Sequence, residues 1–332
     1  MGGDFAPHAT VAGALHALQE LDESHSLQLV GQSAVVEDEL ARLRSGELSH
    51  ISFDRARIEV VEAPDVLEMA AKPTAVLKRL TSSMSVGIAL QAEGRSDGFV
   101  SAGNTGAQMA ASTKLLKLHS GLRRPAISTI FPSALKPIVV LDSGANVDCS
   151  AEELVQFARL GAVYAEDVMG RSNPCIGLLS IGEEPEKGNA VTKEAHLLLR
   201  DSGLNFQGNV EGRDLPAGAT DRGPIDVAVC DGFVGNILLK FYESLAPMLY
   251  DRMGRSAGLD AAALDEAFKE LDYSEYGGAP LLGVRGVSII AHGKSSPRAI
   301  KNAVKLAVRA HESRMNDHIG RRLAEGNAMR HA

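Results

Sequence analysis

The apolar positions of this 332-residue chain alternate between two periods along its length. Residues 11–21 and 33–43 repeat apolar side chains at helical spacing, which predicts amphipathic helices. Short apolar runs such as 138–141 lie between the helical patterns and predict strands buried on both faces of a sheet. Further predicted strands cover residues 27–30, 58–61, 99–101, 127–131, 176–180, 227–230 and 287–291. Because most of these runs precede a helical pattern, we expect βαβ crossovers and an α/β fold with a mostly parallel sheet.

Two helix starts are marked by capping residues. Ser150 and Glu153 have the spacing of a capping box, in which each side chain accepts a hydrogen bond from the other residue's main chain. Ser296 followed by Pro297 places a good N-cap before a proline at the first helical position. Both pairs predict that a helix begins there.

Five polar, glycine-containing turns each follow a predicted strand and precede a predicted helix. They occupy residues 101–108, 141–148, 180–189, 230–236 and 291–296. Unpaired main-chain amides and the positive end of the helix dipole make such a turn suitable for an anion. Ligands of open parallel sheets bind beyond the carboxyl ends of the strands. We therefore expect the turns to form a shared anion-handling cleft.

Several side chains in these turns allow two interpretations each. Lys187 can neutralise a phosphate or an oxyanion, or it can be a loop lysine that faces water. The turn asparagines can orient a substrate, or cap helices and shape turns, and the turn aspartates can act as bases or as braces. His292, Lys294, Ser295 and Ser296 form the strongest anion-binding set, with a plain helix cap beside a solvated lysine as the alternative. Cys149 and Cys230 can be nucleophiles or small packing residues.

Composition, charge and missing motifs exclude several classes of function. The net charge of −8 disfavours non-specific nucleic-acid binding, and three cysteines without CxxC spacing argue against a disulfide framework or a zinc site. The sequence has no GxGxxG, Walker A or HExxH motif, so we expect no cofactor and no metal. No run approaches the roughly 20 apolar residues that span a bilayer, and no signal peptide is visible, which favours the cytoplasm.

Local basic clusters stand out against this acidic background. They form either a solvated face or a docking surface for an acidic partner. The residues are Lys72, Lys78, Arg79, Lys114, Lys117, Arg123 and Arg124.

Taken in order, the turns resemble the motifs of the phosphate acyltransferase PlsX family. The matching segments are Met-Gly-Gly-Asp-Phe-Ala-Pro at 1–7, Ser-Ala-Gly-Asn-Thr-Gly at 101–106, Leu-Asp-Ser-Gly-Ala-Asn-Val-Asp-Cys at 141–149, Ile-Gly-Glu-Glu at 181–184, Cys-Asp-Gly-Phe-Val-Gly-Asn at 230–236, and 278–283 with His-Gly at 292–293. The resemblance runs from residue 1 to about residue 315.

The resemblance implies a three-layer α/β/α fold, similar to isocitrate dehydrogenases and phosphotransacetylases, with a helical excursion near 251–278. It implies that a fatty acyl group passes from the thioester of acyl carrier protein to inorganic phosphate, and that the acyl phosphate feeds phospholipid synthesis. The implied partners are acyl carrier protein, a second copy of the chain and the membrane glycerol-3-phosphate acyltransferase. The implied location is the cytoplasm, with peripheral contact at the inner face of the membrane.

On this basis each motif receives a hypothetical role. Lys187 and Asn236 are the candidate catalytic residues, Asp4, Asp142, Asn146 and Asp231 support the turns, and the basic clusters dock the carrier protein. Phe233, Val234, Leu281 and Leu282 either wall an acyl channel or pack in the core. The candidate phosphate-binding residues are Ser101, Gly103, Asn104, Thr105, Gly106, His292, Gly293, Lys294 and Ser295.

Domain organisation and one departure complete the expectations. We expect one domain over 1–315, as a single body or as two fused lobes, followed by a charged tail over 316–332 that can fray. The family has a short apolar strand before the Met-Gly-Gly-Asp turn, whereas this sequence starts at Met1. We therefore expect Asp4 to lie on a less firmly anchored turn.

Two other functions fit the same residues. A short-chain phosphotransacetylase would use acyl-coenzyme A instead of the carrier protein. A non-catalytic component of lipid synthesis would bind the carrier protein without turnover.

Overall fold

The computed structural model describes residues 1–51, 53–256, 268 and 273–328. It divides into two compact units, one of Met1–Lys117 with Ser274–His311 and one of Leu118–Tyr273 with Glu312–Ala332. We refer to them as unit 1 and unit 2. Both are built from alternating strands and helices.

Unit 1 contains two groups of strands. β1 (Leu27–Gly31) and β2 (Ile58–Glu62) form a parallel pair. In the second group β12 (Val287–Ile290) lies between β3 (Gly98–Ser101), to which it is parallel, and β11 (Ala279–Leu282), to which it is antiparallel.

The helices of unit 1 cover these strands with apolar faces. They are α1 (His8–Glu20), α2 (Ser33–Ser45), α3 (Ser83–Ala92), α4 (Thr105–Leu115) and α9 (Pro297–Glu312), the last residue of which belongs to unit 2. Leu15 and Leu18 of α1 pack with Leu40 and Leu43 of α2 in one buried cluster. Gln108 of α4 is fully buried and donates its Nε2 hydrogens to the Ser288 hydroxyl and to the carbonyl of Ile289, each at 3.0 Å. These contacts fix the start of α4 against β12.

A cavity of about 360 Å³ lies inside unit 1. Residues 26–30 and 95–103 border it as consecutive stretches, together with apolar side chains of α1, α3 and α9. Side chains of a strand alternate between its two faces, so a consecutive stretch borders a cavity with its edge. The edges of β1 and β3 that face the cavity are therefore those opposite their partners β2 and β12.

Unit 2 carries a five-stranded, mostly parallel sheet. Its order is β4 (Ala126–Phe131), β5 (Ile138–Leu141), β10 (Val227–Val229), β6 (Ile176–Leu179) and β7 (Phe206–Val210). Neighbouring strands are parallel except for β4, which is antiparallel to β5. A small antiparallel pair, β8 (Ala219–Thr220) and β9 (Gly223–Pro224), stands apart from this sheet.

Helices cover both faces of this sheet. They are α5 (Ala151–Asp167), α6 (Ala190–Arg200), α7 (Asp214–Ala217), α8 (Gly232–Ser256) and α10 (Met315–Ala328). Val227 packs so closely on Gly161 of α5 that a Cβ there would lie 2.6 Å from its Cγ1. The next residue, Ala228, belongs instead to a cluster that includes Leu238 and Leu239 of α8. Successive strand residues point to opposite faces, so the expected α/β/α layering is confirmed.

The predicted starts of α5 and α9 and the predicted strand β5 are confirmed. Ser150 and Glu153 form the complete capping box at the start of α5. The Ser296 hydroxyl accepts from the Ala299 amide at 3.3 Å at the start of α9. All four residues of β5 are buried, as their apolar run predicts.

The segment after residue 315 forms a helix as far as Ala328. Met315, Ile319 and Leu323 recur every four residues, are buried, and belong to a helix that packs against α5. Residues 329–332 lie outside the described part. So do 257–267 and 269–272, which hold most of the expected helical excursion over 251–278. None of the described helices is both long and apolar enough to cross a membrane.

Candidate active site

The turn at residues 101–106 connects β3 to α4 and is shaped by its own side chains. The Ser101 hydroxyl accepts from the Gly103 amide at 3.0 Å, and Asn104 Oδ1 caps α4 by accepting from the Ala107 amide at 2.9 Å. Thr105 and Gly106 occupy the first turn of α4, where main-chain amides lack helical acceptors. This is the local geometry that favours an anion.

The Asn104 side chain also holds a second loop against this turn. Its Nδ2 donates to the carbonyls of Met69 at 2.7 Å and Ala71 at 2.9 Å. Pro73 packs on Gly106, where a Cβ would lie 2.7 Å from the proline Cγ. The amide of Asn104 is thus engaged in capping and bracing, and it fixes the loop that leads into Lys72.

The turn at residues 292–296 follows β12 and opens α9. His292 Nδ1 accepts from the Lys294 amide at 3.2 Å, and the His292 carbonyl accepts from the Ser295 amide at 2.9 Å. Ser295 is buried, whereas His292 and Lys294 are exposed. The exposed pair supplies an imidazole and an ammonium at a helix start.

Strand pairing brings these two turns together. β3 and β12 are parallel neighbours with Ser101 opposite Ile290, so the turns that follow them leave the same edge of the sheet. The Asp4 amide donates to the Gly293 carbonyl at 2.9 Å, and a Cβ on Gly3 would lie 3.0 Å from the Ala102 carbonyl oxygen. The turn that carries Asp4 is therefore fastened to both candidate phosphate turns.

In unit 2, Asp142 organises the turn after β5. Its side chain is fully buried and accepts from the amides of Ile127 at 3.0 Å and Ala145 at 3.1 Å. Asn146 donates to it twice, from the main chain at 2.7 Å and from Nδ2 at 2.9 Å. Burial raises the pKa of the Asp142 carboxyl, while these hydrogen bonds act in the opposite direction. Asp142 therefore stabilises the turn by accepting hydrogen bonds from its main-chain amides.

The turn after β10 packs against the Asp142 turn. Asp231 Oδ1 accepts from the Val234 amide at 2.8 Å at the start of α8, and the Gly232 amide donates to the Asn146 carbonyl at 2.7 Å. Gly144 has a φ of +133°, and a Cβ on it would lie 3.4 Å from Oδ1 of Asn236. The exposed amide of Asn236 is thus placed beside the 142–146 turn.

Lys187 lies on the turn that follows β6, and its side chain is exposed. Its amide donates to the Glu184 carbonyl at 3.0 Å, and its Cγ would be 2.8 Å from a Cβ on Gly182. β5, β10 and β6 are consecutive parallel strands, so the turns of Asp142, Asn236 and Lys187 follow strands that end at one edge of the unit 2 sheet. The five turns therefore fall into a pair in unit 1 and a group of three in unit 2.

The two thiols near these turns are poorly suited to nucleophilic attack. Burial, and then the negative charge of Asp142, raises the pKa of the Cys149 thiol to about 12. Burial also raises the pKa of the Cys230 thiol well above its ordinary value. Since the thiolate is the nucleophilic form, this environment favours the packing interpretation.

The apolar candidates separate into two groups. Leu281 and Leu282 are 2% and 1% exposed and belong to the core of unit 1. Phe233 and Val234, at the start of α8, are exposed. Only the second pair is placed to meet an apolar ligand.

All seven basic residues of the expected docking set are exposed. Lys72, Lys78, Arg79, Lys114 and Lys117 belong to unit 1, and Arg123 and Arg124 belong to unit 2. The Arg124 guanidinium lies 3.4 Å from the Glu153 carboxylate, and Arg123 lies 4.0 Å from Glu152. Part of the positive charge in unit 2 is thus balanced within the protein.

Sequence reasoning missed one pair of residues beneath the Lys187 turn. Asn209 of β7 is fully buried and accepts a hydrogen bond from His196 of α6, with 2.9 Å between Oδ1 and Nδ1. Neither residue belongs to a glycine turn, and no strand was predicted at 206–210. The local sequence, Phe-Gln-Gly-Asn-Val at 206–210, gives no signal that Asn209 is buried.

The comparisons with known proteins agree with the motifs. The model of the family described as fatty acid synthesis protein matches residues 1–318. A phosphate acyltransferase of Clostridium acetobutylicum is 43% identical over 98% of this chain and 98% of its own length. One from Desulforamulus reducens is 46% identical over 92% of this chain and 90% of its own length. The chain belongs to the phosphate acyltransferase (PlsX) family.

A solved structure outside this close group shares the fold. A phosphotransacetylase from Streptococcus pyogenes superposes with a TM-score of 0.60 at 19% identity, over 92% of this chain and 93% of that chain. The phosphotransacetylase-like fold expected for this phosphate acyltransferase family member is thereby confirmed.

Proposed function

We propose that this protein transfers a fatty acyl group from the thioester of acyl carrier protein to inorganic phosphate. The products are acyl phosphate and the free carrier thiol. The observation that carries the proposal is the pair of turns after β3 and β12, which strand pairing sets side by side at helix starts. Relatives over nearly the full length are phosphate acyltransferases, which supports the same reaction class.

The unit 1 turns supply the groups that a phosphate dianion needs. The first-turn amides of α4 and the exposed side chains of His292 and Lys294 are donors or cations around one sheet edge. Phosphate is already anionic near neutral pH, so the attack requires no strong general base. The protein's contribution is to hold the nucleophile in place and to stabilise charge as it develops.

The reaction we propose is a direct displacement. A phosphate oxygen attacks the thioester carbon and forms the new C–O bond through a tetrahedral oxyanion. The C–S bond then breaks, and the carrier thiolate leaves and takes a proton from solvent. The raised thiol pKa of Cys149 and Cys230 supports a mechanism without an acyl-enzyme.

Lys187 and Asn236 are proposed to stabilise the oxyanion or the departing thiolate. Lys187 offers an exposed ammonium on a turn of defined shape, and Asn236 offers an exposed amide beside the 142–146 turn. Removal of one oxyanion donor in an acyl-transfer enzyme costs roughly 10²–10³ in kcat. The same order is expected for Lys187.

The proposed partners follow from the substrate. The exposed Lys72, Lys78 and Arg79, on and beside the 73–78 segment that packs against α4, form the docking surface for the acidic carrier protein. Acyl phosphate is proposed to pass to the membrane glycerol-3-phosphate acyltransferase, and the protein is proposed to act as a homodimer at the inner face of the membrane.

A second function is supported by the fold. The superposed phosphotransacetylase raises the alternative that the acyl donor is a short-chain acyl-coenzyme A. The exposed apolar residues Phe233 and Val234 favour a long acyl chain instead.

One experiment separates these functions. Purified protein is incubated with palmitoyl-carrier protein, palmitoyl-coenzyme A or acetyl-coenzyme A, with and without phosphate, and acyl phosphate is trapped as hydroxamate. The proposal expects phosphate-dependent product mainly from the carrier protein. Product mainly from acetyl-coenzyme A would favour the phosphotransacetylase, and carrier binding without loss of thioester would leave a non-catalytic component.

A further inference from the structure

The turn that carries Lys187 is tied to the protein at both ends. The amide of Ser180, at its start, donates to the Val210 carbonyl of β7 at 2.9 Å. At its end, Asn189 caps α6 by accepting from the Thr192 amide at 2.8 Å. Between these points lie eight residues with no strand or helix of their own, residues 181–188. The position of Lys187 therefore depends on what holds the middle of the turn.

A buried amide holds it. Asn209 is fully buried, and its Nδ2 donates to the Glu184 carbonyl oxygen at 2.7 Å. The same oxygen accepts the main-chain amide of Lys187 at 3.0 Å. Glu184 O thus joins a core side chain directly to the backbone of Lys187, and both acceptor positions of the carbonyl are used.

His196 fixes the direction in which this amide points. A carbonyl oxygen only accepts hydrogen bonds, so the NH₂ group of Asn209 must face Glu184 and its Oδ1 must face His196. Oδ1 also only accepts, so the ring Nδ1, 2.9 Å away, carries the hydrogen of that bond. The imidazole is 7% exposed and packs edge-on against Phe206, with ring centroids 5.2 Å apart. The buried His196 therefore sets the orientation of the Asn209 side-chain amide.

Arg222 also contacts this region, through a hydrogen bond to Asn209 and an ion pair with Glu183 of the turn. Its guanidinium donates to the Asn209 carbonyl and lies 3.5 Å from the Glu183 carboxylate. This ion pair is partly exposed and weak in comparison with a buried amide that is hydrogen-bonded at both ends. The turn is thus attached mainly through Asn209.

We infer that Asn209, oriented by His196, is a positioning residue that holds Lys187 where it acts on the reacting thioester. The inference rests on the proposed catalytic role of Lys187. A buried polar pair costs free energy unless its groups are hydrogen-bonded, and here the Asn209 NH₂ group directs its bond at the Lys187 turn.

The direct test replaces Asn209 with an isosteric residue that lacks the NH₂ group. In Asn209→Asp the carboxylate cannot donate to the Glu184 carbonyl, so the turn is released. We expect kcat to fall by more than about tenfold and by up to about a hundredfold, the loss that a misplacement of about 1 Å can cause. The KM values for phosphate and for the acyl donor should stay within about twofold, because binding uses other residues.

Asn205→Asp is the matched control. Its Nδ2 also donates to a main-chain carbonyl, that of Asn173 at 2.9 Å, but it stands just before the other end of β7. This variant should keep the kcat of the unchanged protein. An equal loss of kcat in both variants would mean that general damage to β7 explains the effect.

Coupling to Lys187 decides whether Asn209 acts through it. In the Lys187→Ala background, Asn209→Asp should cause no further fall in kcat, because there is no ammonium left to position. The same fold-loss in both backgrounds would overturn the positioning inference and leave the proposed function intact. Full activity of Lys187→Ala would instead remove Lys187 from the proposed mechanism.

His196 provides a route that does not depend on the folding of Asn209→Asp. His196→Asn retains an amide donor toward Oδ1, whereas His196→Leu has none. We expect kcat near that of the unchanged protein in the first variant and a clear loss in the second, with similar melting temperatures. Equal kcat in the two variants would show that the orientation of Asn209 does not matter.

Discussion

The Asp4 amide donates a hydrogen bond of 2.9 Å to the carbonyl of Gly293, and so joins the first turn of the chain to the turn after β12. A Cβ on Gly293 would lie 3.4 Å from the Asp4 carboxylate and 2.7 Å from the Met69 methyl group. Met69 is in turn held by Asn104 through its carbonyl. The candidate phosphate site is thus a closed ring of loops, in which each loop restrains the next, and a main-chain hydrogen bond attaches the Asp4 turn to it.

The contact between Gly106 and Pro73 gives the first prediction. Alanine is the better helix former by up to about 1 kcal/mol, but the new Cβ would lie 2.7 Å from a proline ring that cannot rotate away. Overpacking of this kind costs about 1–3 kcal/mol, so the clash should dominate. We expect Gly106→Ala to displace the 69–73 loop and to raise the KM for phosphate about tenfold, measured at saturating acyl donor.

Gly212→Ala is the control for that substitution, because a Cβ at Gly212 meets no atom within 4 Å. It should leave the KM for phosphate unchanged. An unchanged KM in Gly106→Ala as well would show that the loop which leads into Lys72 does not shape the phosphate site.

Much of this architecture follows from local sequence, and the remainder depends on distant partners. The strands at 138–141 and 287–290 and the cap at Ser150 were predictable because burial and capping are local. The antiparallel setting of β4 and β11 was not, because apolar runs carry no sign of direction.

The candidate site likewise contains features that local sequence predicts and features that depend on residues far away in the chain. The turns after β3 and β12 were predictable as neighbours once a parallel sheet was expected. The bracing role of Asn104 depends on carbonyls 33 and 35 residues earlier in the chain, and the Asn209 pair joins a strand to a helix 13 residues away. Such partners are chosen by packing, and one sequence does not reveal them.

The exposed cations on and beside the 73–78 segment give a prediction about the carrier protein. Exposed charges act over about 8–10 Å at ordinary ionic strength and contribute mainly to association. Reversal of two such charges in Lys78→Glu with Arg79→Glu should raise the KM for acyl-carrier protein about tenfold and flatten its dependence on salt. The KM for phosphate should not change.

Arg309→Glu tests whether any exposed reversal has the same effect, since this arginine is exposed on α9. It should leave the KM for acyl-carrier protein within about twofold. An unaltered KM in the double reversal would place the docking surface elsewhere.

The ion pairs of α2 predict a defined dependence of stability on pH. The Glu39 carboxylate accepts from Nη2 of Arg42 at 2.7 Å and from its Nε at 2.9 Å, and lies 2.8 Å from His8 Nδ1. These contacts lower the pKa of the Glu39 carboxyl to about 2. A lowered carboxyl pKa stabilises the folded state above the unfolded value near 4.5, and this contribution is lost as the pH falls toward 2. Because Arg42 is half exposed, we expect Glu39→Gln to lower the free energy of unfolding by only about 1 kcal/mol at pH 7.

Urea titrations at several pH values measure this difference. It should shrink below pH 4.5 and vanish near pH 2. Glu37→Gln is the control, because its bond to Arg55 at 2.7 Å is exposed and should contribute less than about 0.5 kcal/mol. A loss in Glu39→Gln that is as large at pH 2.5 as at pH 7 would assign the effect to packing instead of charge.

Substitution and alkylation of the cysteines test whether the reaction is a direct displacement without an acyl-enzyme. With a pKa of about 12, Cys149 has almost no thiolate at pH 7.5, and burial raises the pKa of the Cys230 thiol well above its ordinary value. We therefore expect Cys149→Ser to keep kcat within about twofold. Iodoacetamide should inactivate the unchanged protein slowly, and it should inactivate Cys149→Ser at the same rate. Quenched mixtures with palmitoyl-carrier protein and no phosphate should show only the unmodified chain mass. An added palmitoyl mass that disappears in Cys149→Ser would reveal a covalent intermediate, because only the transfer of the acyl group to that sulfur places it on the protein before phosphate arrives.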